Sequence, residues 1–141
     1  MLDSRHWKLD RKEETDMREK KGYERLEVYE RSYRAGLAVY KMTKAYPKEE
    51  IYAITDQMRR ASVSISLNIA EGYAKRSSQE EFRRFLLMAI GSSNEMSVLI
   101  EYSKDLGYIS EKQYEKASRE YDEIGRMLNS FIQSISKEKK I

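Results

Sequence analysis

Apolar residues begin to recur at helical spacing from Leu26. Leu26, Tyr29, Tyr33, Leu37 and Tyr40 step by three and four residues and mark one face of a first helix, with Tyr29, Tyr33 and Tyr40 readable as core or as interface. Gly36, beside that stripe, would let a neighbouring helix come close. Tyr46-Pro47 ends the pattern, because the residue before proline is pushed out of the α region. A second helix is expected from Pro47 or Lys48, with Glu49 and Glu50 suited to the positive end of its dipole. Ile51, Ile54, Met58, Ala61, Ile65 and Asn68 mark one of its faces, and Val63, Leu67 and Ala70 mark another. A helix apolar on two sides is central in its fold or shared with another subunit. Gly72 lies near its end, before basic Lys75 and Arg76.

Ser77 or Ser78, followed three residues later by Glu80 or Glu81, forms the capping box of a third helix. Its expected buried face is Phe82, Phe85, Ala89, Ser92, Met96, Leu99, Ser103 and Leu106, and Gly107 closes it. Ser110 and Gln113 repeat the capping signature. Tyr114, Ala117, Tyr121, Ile124, Leu128, Phe131 and Ile135 then carry a fourth helix to the end. Short connections between long helices make neighbours antiparallel, so the expected fold is all-α, an up-down-up-down four-helix bundle over residues 23–136.

Composition narrows the picture. At 141 residues and 16.7 kDa the chain allows one domain. Six Gly and one Pro are too few for the turns of a β-sandwich or barrel. Leu, Ile, Val and Phe are sparse, but a net charge of +3 is too small for disorder by composition, and eleven Tyr and seven Met add apolar area. With no Cys and a lone His6, thiolate and histidine metal sites and His-dependent triads have no ligands, so neither metal nor cofactor is expected. No run approaches the ~20 apolar residues that span a bilayer, and Met1 to Lys21 has no apolar signal-peptide core. The expectation is a cytoplasmic protein without a membrane role. Residues 1–22 hold seven Lys/Arg and six Asp/Glu, a leader readable as a solvated or helix-extending segment or as a nucleic-acid arm. Residues 137–141 form a polar tail.

Two constellations carry candidate chemistry. Gln57, Ser64, Asn68 and Glu71 form a polar stripe on the second helix, and Ala89, Gly91, Ser92 and Glu95 answer on the third. Buried polar groups need partners, so Gln57, Ser64, Asn68, Glu71, Ser92 and Glu95 read as a structural network. The competing reading is acid–base work by Glu71 and Glu95. No nucleophile, metal set or phosphate loop accompanies them, so no catalytic residue is assigned and an enzyme is not expected. Arg59, Arg60, Lys75, Arg76, Arg83 and Arg84 are candidates for phosphate contact without sequence reading, or simply surface cations paired with Glu. Residues 77–109 carry three basic and five acidic groups, so net positive charge is not concentrated there. Tyr73, Tyr102, Tyr108, Val63, Leu67 and Met88 fall outside the main stripes. They suit an oligomer interface or, for the tyrosines, stacking on nucleobases.

Gln57-x-x-Arg60-Ala61, Ser64-Ile65-x-x-Asn68-Ile69-Ala70-Glu71-Gly72 and Ala89-x-Gly91-Ser92-x-x-Glu95 resemble a bacterial four-helix-bundle family first found encoded by intervening sequences of 23S ribosomal RNA genes. The resemblance covers about residues 24–136. It implies protomers that associate into a homopentamer, and a structural relation to the accessory variability determinant of diversity-generating retroelements. That relative is a basic pentamer that binds nucleic acid and a reverse transcriptase. The expected function is therefore a homo-oligomer that binds RNA or DNA through its basic residues. The alternative is an accessory subunit that docks on a protein such as a reverse transcriptase.

Overall fold

The computed structural model describes residue 20 and residues 22–139, with side chains through Ser136. The leader 1–22, apart from Lys20 and Gly22, and residues 140–141 of the tail lie outside the described residues. Among these residues there are four α-helices and no strands: α1 Glu27–Thr43, α2 Ile54–Ala74, α3 Gln79–Asp105 and α4 Glu111–Lys139. Short 3₁₀ turns precede α1 at Gly22–Arg25 and α2 at Lys48–Glu50.

The helices pack in chain order, and α4 returns to α1. Between α2 and α3, Gly72 meets Phe82 and Phe85, Ser64 meets Ser92, and Met58 meets Ser103. Between α3 and α4, Phe82 meets Phe131 and Ser93 donates to the Tyr121 carbonyl. In both pairs the contacts ascend one helix as they descend the other. The shared core holds Val28 and Val39 of α1 and Met58, Ile65 and Ile69 of α2. It also holds Leu86, Ala89, Met96 and Ile100 of α3, with Ile124, Leu128 and Ile132 of α4.

Local chemistry sets the helix ends. Ser78 Oγ accepts the Glu81 amide at 3.2 Å. Ser110 and Gln113 cap each other, at 3.1 Å from the Gln113 amide to Ser110 Oγ and 2.8 Å from the Ser110 amide to Gln113 Oε1. Gly107, at φ 81°, closes α3 in a Schellman arrangement, with Tyr108 N–H on the Ser103 carbonyl and Gly107 N–H on that of Lys104.

Of three expectations, one is narrowed and two are corrected. The first concerns α1, whose buried residues are Val28, Ser32, Ala35, Gly36, Val39 and Thr43; Tyr33, Leu37 and Tyr40 are exposed. Small side chains face inward because α1 lies close against α2: a Cβ on Gly36 would sit 3.8 Å from Ser62 Oγ, in ordinary contact. A Tyr or Leu in that seam would force the helices apart. The buried hydroxyls of Ser32, Thr43, Ser62 and Ser66 bond to carbonyls three or four residues earlier, so close packing leaves none unsatisfied.

The second concerns the start of α2, which is Ile54 rather than Pro47 or Lys48. Ala53, at φ −126° and ψ −110°, interrupts the helical path, and Ile51 and Tyr52 are exposed, with no burial to hold a longer helix. Glu50 is engaged elsewhere: it accepts the Tyr108 hydroxyl at 2.5 Å and the Ile54 amide at 3.4 Å. The third is a rotation of α3, whose buried face contains Leu86 and Ser93 where Phe85 and Ser92 were expected, and which leaves Leu106 exposed.

Among the glycines of the α-helices, Gly72 is the one most closely approached by a neighbouring helix. A Cβ there would lie 2.9 Å from Phe85 Cβ and 3.4 Å from the Phe82 carbonyl oxygen. Gly72→Ala is therefore expected to destabilise the protein by about 1–3 kcal/mol, the range for overpacking. Gly91 has nothing within 4 Å of its Cβ position. Gly91→Ala should stabilise by about 0.5–1 kcal/mol, the usual gain at an open helix position. Urea unfolding of both variants checks the contrast; equal effects would contradict this packing.

The hydrogen bond to Glu50 pushes the Tyr108 hydroxyl up to about 12 from 10.0. A raised tyrosine stabilises the fold while it is neutral. The stabilisation is complete below pH 10 and is lost as pH rises toward 12. The stability difference between the native chain and Tyr108→Phe should be constant below pH 10 and shrink above it. A difference that persists unchanged at pH 12 would contradict this contact.

Candidate functional site

The polar stripe divides on folding. Ser64, Asn68 and Ser92 meet in the half-buried seam between α2 and α3. Ser92 Oγ donates to Ser64 Oγ at 2.9 Å, and Asn68 Nδ2 donates to the same oxygen at 3.0 Å and to the Ser64 carbonyl at 2.9 Å. Gln57, Glu71 and Glu95 are exposed. Glu71 lies 4.0 Å from Lys75. Gln57 and Glu95 instead line a surface hollow of about 440 Å³ with Ile54, Val98, Leu99 and Tyr102. Glu71 stands about 20 Å of helix rise from Gln57, so the structure does not join Glu71 and Glu95 into a carboxylate pair. Among the described residues no group of three or more His, Cys, Asp or Glu is arranged to hold a metal ion.

The basic residues form two separate groups. Near the start of α2, Arg59 donates to Thr43 Oγ1 at 2.9 Å and lies over the Tyr40 ring, while Arg60 reaches Asp56 at 3.5 Å. Around the turn between α2 and α3, Lys75 and Arg84 both lie over Phe85, at 5.4 and 4.5 Å, and Arg76 lies over Tyr73 at 4.0 Å. Arg84 also grips Glu81 through two nitrogens at 3.0 and 3.1 Å. That hydrogen bond holds the Glu81 carboxyl below its usual range and raises the guanidinium. Arg83 donates to Ser136 Oγ at 3.0 Å. It alone of the six lacks both a carboxylate and a ring partner among the described residues. Exposed pairs of this kind contribute little to stability, but they occupy the cations that a phosphate would need.

Apolar side chains at the surface are the more distinctive feature. Leu37, Leu67, Val98 and Tyr102 are 55, 63, 54 and 58% exposed, and Tyr33, Tyr40, Val63, Leu87 and Met88 are exposed beside them in sequence register on α1, α2 and α3. Tyr73 and Tyr108 belong instead to the protein's own packing: Tyr73 lies against Gly22 and edge-on to Phe82, and Tyr108 tilts against Tyr46. Sequence reasoning missed Leu37, Leu87 and Val98 as surface residues. For Val98 the signal was available: Met88, Gly91, Glu95, Val98 and Tyr102 step by three and four as a second stripe along α3. No helix of the described residues is long and apolar enough to cross a membrane.

Comparisons with known proteins agree with this architecture. Residues 24–130 match the model of the family described as 23S rRNA-intervening sequence protein. A solved structure of a protein of unknown function from the S23 ribosomal protein family of Bacteroides thetaiotaomicron VPI-5482 is similar, at TM-score 0.69 and 26% identity. The match covers 75% of this chain and 95% of that one. No curated protein matches.

The hydroxyl–amide contact between α2 and α3 and the exposed carboxylates should respond differently to mutation. Ser92→Ala and Asn68→Ala should each destabilise by about 0.5–1.5 kcal/mol, the value of one hydrogen bond, and the pair should be non-additive because both donate to Ser64 Oγ. Glu71→Gln and Glu95→Gln should stay within about 0.5 kcal/mol of the parent, as surface changes do. A large loss from either glutamate substitution, read by urea unfolding, would contradict its exposed position.

Proposed function

We propose that this chain, which belongs to the 23S rRNA-intervening sequence protein family, is a non-enzymatic interaction protein that assembles with copies of itself in the cytoplasm. The observation that carries the reading is the set of large apolar side chains left exposed on three helices. Such a surface marks an interface. In this reading the protomer is an antiparallel up-down-up-down bundle, and five copies close into a ring. The opposed order of the inter-helix contacts supports the first part. The same surface would serve an accessory subunit docking on a reverse transcriptase, and a chain that stays monomeric until such a partner is added would favour that alternative.

Light scattering on the purified chain tests self-assembly. The expected mass is a multiple of 16.7 kDa. Leu67→Asp with Tyr102→Asp should reduce it toward a single chain while helical circular dichroism is kept. A native chain that remains a monomer at high concentration would rule the reading out.

A second role, non-specific binding of RNA or DNA, is favoured by one observation. Lys75 and Arg84 come together over Phe85 at the turn between α2 and α3, with Arg76 and Arg83 next to them in sequence, and a ring would repeat that group. Arg59 and Arg60 lie elsewhere on α2 and are not part of it. If the turn contacts phosphates, affinity for a single-stranded RNA should fall steeply with salt, and Arg83→Ala should reduce the logarithmic slope by about 1. Binding that ignores salt, or a slope unchanged in the variant, would remove Arg83 from this role.

A further inference from the structure

The exposed apolar residues include two patches of different form. On α1 and its C-terminal cap, Tyr33, Leu37, Tyr40 and Lys44 are all exposed and follow at spacings of four, three and four, one ridge that continues in helical backbone through Lys44. Arg59 lies over Tyr40 at 4.8 Å and steadies its ring. Between α2 and α3, the hollow of about 440 Å³ has an apolar floor of Ile54, Val98, Leu99 and Tyr102 and polar lips in Gln57 and Glu95. Neither Glu95 nor Lys44 has an ion-pair partner, and the Gln57 side-chain amide has no hydrogen-bond partner, among the described residues.

We propose that the α1 ridge of one copy seats in the α2–α3 hollow of a second copy. Leu37 and Tyr40 then cover Val98 and Tyr102, and Lys44 reaches Glu95. The inference rests on the self-assembly reading and names the two surfaces that meet. The hollow calls for large apolar groups followed, one helical turn on, by a cation. This chain presents that sequence of groups on α1, uncovered, at a concentration equal to that of the hollow. The larger hollow, about 570 Å³ beside Leu26, Met127 and Phe131, offers no such match, because its Arg126 and Glu123 already pair at 2.5 Å. Ridge and hollow are different patches, so each contact uses one of each, and a copy that has lost one patch still offers the other.

That asymmetry supplies the test. Leu37→Asp disables the ridge and Val98→Asp disables the hollow. Both residues are more than half exposed, so the circular dichroism and thermal melting of each variant should match the parent. By sedimentation velocity each variant alone should fall to a single chain, and an equimolar mixture should regain a two-chain complex. Lys44→Glu and Glu95→Lys should each weaken assembly about tenfold, the effect of 1.4 kcal/mol, and their mixture should recover it. If the native chain assembles but neither mixture recovers, the pairing is wrong and self-assembly stands. If the native chain never exceeds one copy, both are overturned.

Discussion

Small residues hold α2 close to both of its neighbours, and much of the remaining structure depends on that closeness. Gly72 lies under Phe82 and Phe85 with no room for a Cβ, and Ser62 lies against Gly36. Ser64 touches Ser92 through its hydroxyl. Close-packed interiors tolerate little change in volume, so bulky side chains cannot replace the small residues at these contacts. On α1 the buried set is Ser32, Ala35, Gly36 and Thr43 with two valines, and on α2 it includes Ala61, Ser62, Ser66 and Gly72. Tyr33, Leu37, Tyr40, Val63 and Leu67 are placed outward instead.

The exposed apolar surface is thus a consequence of how the protomer packs. α1 buries mostly small residues and leaves Tyr33, Leu37 and Tyr40 outside, while α2 buries Met58, Ile65 and Ile69 beside its small residues and still leaves Val63 and Leu67 exposed for contact with something else. Exposed apolar area of this extent favours association, because covering it releases water at little electrostatic expense. The cations are arranged differently. Arg60, Lys75 and Arg84 face carboxylates, and Arg59, Arg76 and Arg84 lie over rings. Nucleic-acid contact would have to displace many of these partners, whereas self-association needs no such exchange. Protein contact is for that reason the first function proposed and phosphate contact the second.

Local signals in the sequence were legible. Ser78 with Glu81, Ser110 with Gln113, and Gly107 set helix ends through backbone chemistry confined to a few residues. The four-helix count and the family blocks followed from the same scale of pattern. The phase of α1 was not legible, because periodicity takes large residues as buried and this seam buries small ones. The start of α2 was hidden because Glu50 serves Tyr108, a residue distant in sequence. The polar stripe was half legible: Ser64, Asn68 and Ser92 do meet. Gln57, Glu71 and Glu95 share their helical spacing, yet they sit just far enough around the helices to face solvent. Arg59 and Arg60 share the basic character of the turn residues, although sixteen positions of chain separate Arg60 from Arg76.

Hydroxyl-radical footprinting across a dilution series reads the outward-facing surface directly, because Met88 and Tyr102 are reactive and, in the isolated protomer, 45 and 58% exposed. If apolar surface displaced outward by small-residue packing is used for association, both residues will be protected in concentrated solution and will label progressively on dilution. Buried Met58 and Met96 will stay unlabelled throughout. Full labelling of Met88 and Tyr102 at every concentration would contradict the use of this surface for association.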